Sequence, residues 1–275
     1  MMQNKIIVAV APVGANIAPP SINPLSSEEV AAEVVACSRA GAAMVHLHVR
    51  DEAGAPTGDL TAFTRTLDII RQASDIVIQG STGGLSTLSL EERCVALNDS
   101  RVEVASLNMG SVNFGEDVYI NRMPDIRYWA QRMAAGRVVP ELEIFEAGML
   151  AAARQLMTEG VLNTPCYCNL PLGAHWALPA DPRSISFITA MLPDDMRWSV
   201  VHDGMRDFSL LATAIGMGAT AVRVGFEDSV WRAPDKAAHT NAELVAGGVE
   251  LITAMGGVVA SPDEAREILG VAALR

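Results

Sequence analysis

His46-Leu47-His48 places two imidazoles one residue apart at the end of an apolar run. Side chains alternate along a strand, so both rings point to one face and Leu47 to the other. Two neutral imidazoles on one face can share a divalent ion at about 2 Å each, leaving room for a carboxylate and for exchangeable water or substrate. Two histidines satisfied by hydrogen bonds at a strand end are the plain alternative. A carboxylate that could complete the set stands far along the chain, in Arg223-Val224-Gly225-Phe226-Glu227-Asp228. An Arg and two adjacent acids leaving a buried strand are costly unless they pair or bind metal, which makes Glu227 the expected third ligand. Arg223 and Asp228 are then expected to form a charged dyad beside the metal, the guanidinium orienting the carboxylate and facing an anionic substrate. A structural Arg–Asp pair closing the fold would use the same two residues.

Further polar groups recur at the ends of apolar runs. Gly80-Ser81-Thr82-Gly83-Gly84 has the small residues that let backbone N–H groups approach a carboxylate or phosphate, although a tight turn would look the same. Asn108, Ser111 and Asn113 follow another run, and Glu141 and Glu143 share a strand face, so one or both are expected at the mouth of the fold. His202-Asp203 ends a run in the same way, and His175 and His239 lie in loops as weaker candidates. Cys166 and Cys168 also share a face, but within an apolar strand they read as core.

The elements that must position these groups alternate along the whole chain. Apolar, β-branched runs at 5–11, 43–49, 75–79, 102–108, 137–144, 164–170, 197–202 and 219–225 read as strands. Amphipathic stretches at 27–40, 59–73, 124–135, 146–159, 206–217 and 240–255 read as crossover helices. Ser26 and Ser27 before Glu28 and Glu29, and Ser261-Pro262-Asp263-Glu264, carry N-terminal capping signals. Eight strands in strict alternation with helices predict an α/β fold, a single (β/α)8 TIM barrel with residues 1–275 as one domain. In that fold the least regular pieces, 12–25, 81–88, 109–123 and 226–239, all follow strands, at the end where barrels carry their chemistry.

Composition narrows the class. Half of the 275 residues are hydrophobic and 5% aromatic, which suits parallel strands buried on both faces. A formal net charge of -12 argues against nucleic acid as a partner, since phosphate backbones need clustered Lys and Arg. Four cysteines in a chain this long suggest no disulfide framework, and no apolar run approaches a membrane span, so a cytoplasmic protein without membrane contact is expected.

Five runs, AGAAMVHLHVRDEAGAPTG, QGSTGG, SLNMGSVNFG, PELEIFEAGM and RVGFEDSVW, in this order and at these separations, resemble the beta-keto acid cleavage enzymes, the family of the 3-keto-5-aminohexanoate cleavage enzyme. The resemblance extends from Ile6 to about Ile268. It implies a zinc-bearing barrel that condenses a beta-keto acid with acetyl-CoA to give acetoacetate and a new acyl-CoA, working as a homo-oligomer, a tetramer by analogy. Carried over by motif, His46, His48 and Glu227 match the zinc ligands, and Arg223 with Asp228 the catalytic dyad. Glu143 matches an acid near the reacting centre, and Ser81 and Ser106 match substrate-contacting hydroxyls, the latter usually Thr in the family. Thr82, Gly83 and Asn108 fall in the same blocks and complete the expected substrate-binding set with Asn16.

Two departures bear on the substrate. Asn16 occupies a position where an amino-substrate relative can carry a carboxylate, which predicts a neutral or hydroxylated acyl side chain. VVHDGM around His202 stands where relatives commonly show a small, Gly-rich turn, so His202 and Asp203 could add polar selectivity, or Asp203 could restore the negative charge missing at Asn16. A metal-dependent aldolase is the closest rival enzyme. An amidohydrolase-like hydrolase fits less well, because that class carries its HxH on the first strand and further histidines on the middle strands. A barrel that only binds ligand would leave the convergence of imidazoles, acids and Arg without purpose.

Overall fold

A computed structural model describes residues 5–15, 17, 19–84, 88–162 and 166–271. Eight parallel strands form its centre: β1 Lys5–Val10, β2 Met44–Leu47, β3 Val77–Gly80, β4 Val104–Asn108, β5 Val139–Glu143, β6 Tyr167–Leu170, β7 Trp198–Val201 and β8 Ala221–Val224. Each pairs with its sequence neighbours, and β8 returns to β1 with Ile7 opposite Ala221 and Val10 opposite Val224, so the sheet closes as a barrel. Every strand lies within or at the edge of the stretch expected from its apolar run.

Helices α1 Ser27–Ala40, α2 Thr61–Ala73, α3 Met123–Gly136, α4 Ala147–Thr158, α5 Pro182–Thr189, α6 Ser209–Gly216, α7 Asn241–Ala254 and α8 Pro262–Leu269 surround it. The capping signals act as read: the Ser26 and Ser261 hydroxyls accept from the N–H groups of Glu29 and Glu264, whose carboxylates return the bond. The short α5, capped by Asp181 with Pro182 in its first turn, was not among the expected helices. The β3-to-β4 crossover is made by a single turn, Leu90–Arg93, and a 3-10 turn, Val95–Asn98. The irregular pieces after β4 and β8 each contain an antiparallel hairpin, Val112–Phe114 with Asp117–Tyr119 and Trp231–Ala233 with Lys236–Ala237.

Strand alternation divides the core. Outward residues such as Val8, Val45, Ile78, Leu107, Leu142, Cys168 and Val200 pack under the helices. Inside the lower barrel, Ile7, Met44, Val77, Val104, Val139 and Ala221 form a second apolar cluster with Ala265 and Leu269 of α8, which seals that end. Among the described residues no helix is long and apolar enough to cross a membrane.

Candidate active site

Two residues further along the same strands, the barrel interior turns polar: His46, Gln79, Ser106, Glu141, Asn169, Ser199 and Arg223 are all buried. His46 Nε2 and His48 Nε2 lie 3.4 Å apart, and Glu227 Oε1 stands 3.6 Å from the first and 3.4 Å from the second. Among the described residues these three form a group that could hold a metal ion, their candidate ligand atoms all within 4.8 Å of one another. Ligand atoms each about 2 Å from one tetrahedral ion would stand roughly 3.3 Å apart, so the three fit a zinc-sized ion as they are.

The turn after β8 brings Glu227 into place. Gly225 holds φ at 139°, and a Cβ there would lie 2.2 Å from the carbonyl oxygen of Ala11, so that sharp exit is closed to other residues. Glu227 N–H donates to Ala11 O and Asp228 N–H to Gly225 O, which directs both carboxylates back over the barrel. Arg223, reaching up from β8, donates through Nε to Asp228 Oδ2 at 2.9 Å and through Nη2 to Asp228 Oδ1 at 2.6 Å. The same Nη2 donates to Glu227 Oε1 at 2.7 Å, and Nη1 stands 3.8 Å from Glu143 Oε1.

One guanidinium thus faces three acids, Glu143 buried and Glu227 and Asp228 partly so, and their protonation differs. Burial opposes the Glu227 charge, but Arg223 and the two imidazoles pull its carboxyl well below the ordinary range. Burial raises Glu143 to about 8 and Asp228 to about 7, in each case against the pull of Arg223. Asp203 is raised to about 6, again by burial. Burial and then Arg223 hold His46 neutral down to about 3, the form a metal ligand needs.

His46, His48, Ser81, Gly83, Glu143, Asp203, Arg223, Glu227 and Asp228 line one chamber of about 160 Å³, with an aromatic wall of Phe114, Tyr119 and Phe145. The three rings meet edge to face, 6.3 to 6.5 Å between centroids. Not every expected substrate residue lies on the chamber surface. Thr82 donates its hydroxyl to Ser106 O and its N–H to Ser106 Oγ, so these two hold the ends of β3 and β4 together. Asn108 is buried with neither side-chain polar atom partnered, and its Nδ2 would stand 3.1 Å from a Cβ at Gly83. Asn16 lies outside the described residues. His202 donates toward Asp207 O from its buried ring, whereas His175 and His239 are exposed and away from the chamber. Asp203 reaches the chamber and makes no hydrogen bond or ion pair among the described residues.

Tyr119 and Phe114, and below them Gln79, Tyr167 and Asn169, were not singled out from the sequence. Tyr119 and Phe114 come from the hairpin in a piece expected to be irregular, and Gly84 N–H donates to the Tyr119 hydroxyl. Beneath the metal group, His46 Nδ1 lies 2.8 Å from Gln79 Oε1, and Gln79 Nε2 donates to the Tyr167 hydroxyl at 3.2 Å. Tyr167 donates in turn to Glu141, which also accepts from Asn169. Burial raises the Glu141 carboxyl and these donors oppose the rise.

A barrel that gathers imidazoles, acids and one guanidinium at the C-terminal mouth of its strands defines an enzyme of the (β/α)8 class. The model of the beta-keto acid cleavage enzyme family matches residues 5–271, and the chain belongs to that family. The 3-keto-5-aminohexanoate cleavage enzyme of Acetoanaerobium sticklandii is 36% identical, covering 97% of this chain and 98% of its own. The 3-dehydrocarnitine:acetyl-CoA trimethylamine transferase of Rhizobium meliloti is 30% identical over 96% of this chain and 95% of its own. Among solved structures, apo ObcA superposes with a TM-score of 0.75 at 19% identity; the match covers 90% of this chain and 65% of ObcA, and it speaks to the fold alone.

Proposed function

We propose that this chain is a zinc-dependent enzyme that transfers the acyl group of a beta-keto acid to CoA, condensing the keto acid with acetyl-CoA to release acetoacetate. The observation that carries the reading is the His46–His48–Glu227 group standing beside the Arg223–Asp228 pair in one small chamber. Family membership and the acetyl-CoA transferase relative support it.

Zinc held by those three residues would supply Lewis-acid polarisation of the keto and carboxylate oxygens, acidifying the carbon between them. Asp228 is the base we assign, since a guanidinium scarcely deprotonates, and Arg223 fixes the carboxylate through two N–H bonds. The carbanion adds to the thioester carbonyl of acetyl-CoA and CoA thiolate leaves. The thiolate then adds to the keto carbon of the original substrate. Cleavage of the bond to the former α carbon releases acyl-CoA and the acetoacetate carbanion, which takes the proton back from Asp228. Glu143, raised toward the protonated form, can donate to an oxygen that gains charge during either addition.

The chamber suits a small keto acid and not a CoA ester. A groove of about 820 Å³ lined by Arg93, Val118, Arg122 and Trp129 shares Gly84 and Tyr119 with it, which supports an extended co-substrate entering there. The Asp203 carboxylate, without a hydrogen bond among the described residues, supports an acyl side chain that donates hydrogen bonds, such as a hydroxylated one. Preferred turnover of a cationic keto acid would instead make Asp203 the source of the negative charge absent at Asn16. The reaction class is tested with acetyl-CoA carrying carbon-13 in its acetyl group. Label recovered in acetoacetate and not in acyl-CoA is the expected result, and cleavage without CoA would point to an aldolase.

A further inference from the structure

The lower edge of the metal group is tied to a chain of hydrogen bonds that no part of the proposed reaction uses. Strand register pairs His46 with Gln79 and Glu141 with Tyr167, so these four side chains all point into the barrel. Gln79 is fully buried and His46 nearly so. The Gln79 Oε1 atom 2.8 Å from His46 Nδ1 can only accept, so Nδ1 carries the hydrogen and Nε2 keeps its lone pair. That Nε2 is the atom that faces His48 and Glu227.

The direction of the amide is itself determined. Glu141 takes the Tyr167 O–H on one oxygen and the Asn169 amide on the other, and Ser199 donates to Asn169 Oδ1 at 2.7 Å. With its hydrogen directed to Glu141, the Tyr167 oxygen accepts from Gln79 Nε2, which leaves the Gln79 oxygen turned to His46. A reversed amide would set an N–H against Nδ1 and favour the tautomer with hydrogen on Nε2, where a metal cannot bind without displacing a proton.

We propose that Gln79 is a positioning residue for His46, fixing the imidazole tautomer that offers Nε2 to a metal ion, and that Tyr167 and Glu141 lock the Gln79 amide in the orientation this requires. The inference rests on the zinc reading above. Groups one step behind a metal ligand commonly change affinity by about 10–100-fold when removed.

The test is zinc affinity, measured by chelator competition, with the visible spectrum of the cobalt-loaded protein and the melting temperature of the metal-free protein recorded beside it. Gln79→Leu is expected to weaken zinc about 10–100-fold and to alter the cobalt spectrum. Gln79→Glu, which keeps the shape and an acceptor toward Nδ1, should recover most of that loss, and Tyr167→Phe should show a smaller loss of a few fold. Wild-type zinc affinity and cobalt spectrum in Gln79→Leu would overturn the proposal, as would Gln79→Glu binding no better than Gln79→Leu. If Gln79→Leu fails to fold, Tyr167→Phe decides: zinc affinity a few fold below wild type with an altered cobalt spectrum supports the proposal, and wild-type affinity and spectrum in Tyr167→Phe would overturn it. Wild-type protein that binds neither zinc nor cobalt would overturn the zinc reading and this inference together.

Discussion

The lower and upper halves of the barrel interior are built by the same strands yet have opposite chemistry. Below lie Met44, Val77, Val104, Val139 and Ala221. One alternation higher stand His46, Gln79, Ser106, Glu141 and Arg223. A further alternation reaches the mouth, with His48, Ser81, Asn108 and Glu143. Tyr167 marks the boundary, its ring among the apolar residues and its hydroxyl in the polar network. The difference separates two tasks: the lower layer buries apolar area and is plugged by α8, while the upper layer holds charges whose burial is tolerated because each is paired or hydrogen-bonded. Stability should therefore be lost from below without loss of chemistry, and chemistry lost from above with much of the fold retained.

The largest expected effect is on the upper layer. Asp228→Asn should lower kcat/KM about 10³-fold, equivalent to about 4 kcal/mol, in protein that still melts cooperatively. Activity within a few fold of wild type would break the assignment of Asp228 as base. In the lower layer, Met44→Ala should cost about 2–5 kcal/mol in denaturant unfolding while kcat/KM per folded molecule stays nearly unchanged. A collapse of kcat/KM in soluble, folded Met44→Ala protein would show that the two layers are not separable. His202 sharpens the picture through pH. Burial lowers its pKa from 6.5 to about 4, so the unfolded chain binds the proton more readily in that window. Its contribution is complete above pH 6.5 and is lost as pH falls toward 4, roughly 3 kcal/mol in all. The fall in melting temperature between pH 7 and 4 should accordingly be shallower in His202→Gln than in wild type. The smallest effect belongs to the outer end of the polar network: Ser199→Ala removes the bond to Asn169 and should cost about 1 kcal/mol by the same unfolding measurement.

Much of the barrel was legible because strand periodicity needs only neighbours in sequence. The pair His46 and His48 follows from alternation within one strand, and Arg223, Glu227 and Asp228 from the cost of burying charge at another strand's end. Gln79 was not legible, since its role depends on β2–β3 register and on the amide's orientation, which no spacing within one strand reveals. Tyr119 was hidden for a different reason: its hairpin sits in a segment whose Gly and Asn content reads as loop. The α5 helix carried a signal, Asp181 before Pro182, but its eight residues are too short for helical periodicity to stand out. The sealing of the lower barrel by Ala265 and Leu269 of α8 depends on a helix packing against residues far away in sequence, beyond the reach of local patterns.

The central claim is that His46, His48 and Glu227 hold the zinc on which acetyl-CoA-dependent cleavage relies. Its most direct test is formation of acetoacetate and acyl-CoA from a panel of beta-keto acids with acetyl-CoA, using wild-type and His46→Ala protein whose metal content has been determined. The account predicts about one zinc per wild-type chain, product that requires acetyl-CoA, and loss of both metal and product in His46→Ala. Metal-replete wild-type protein that is inert to the whole panel, or a metal-free His46→Ala variant that retains activity, would contradict it.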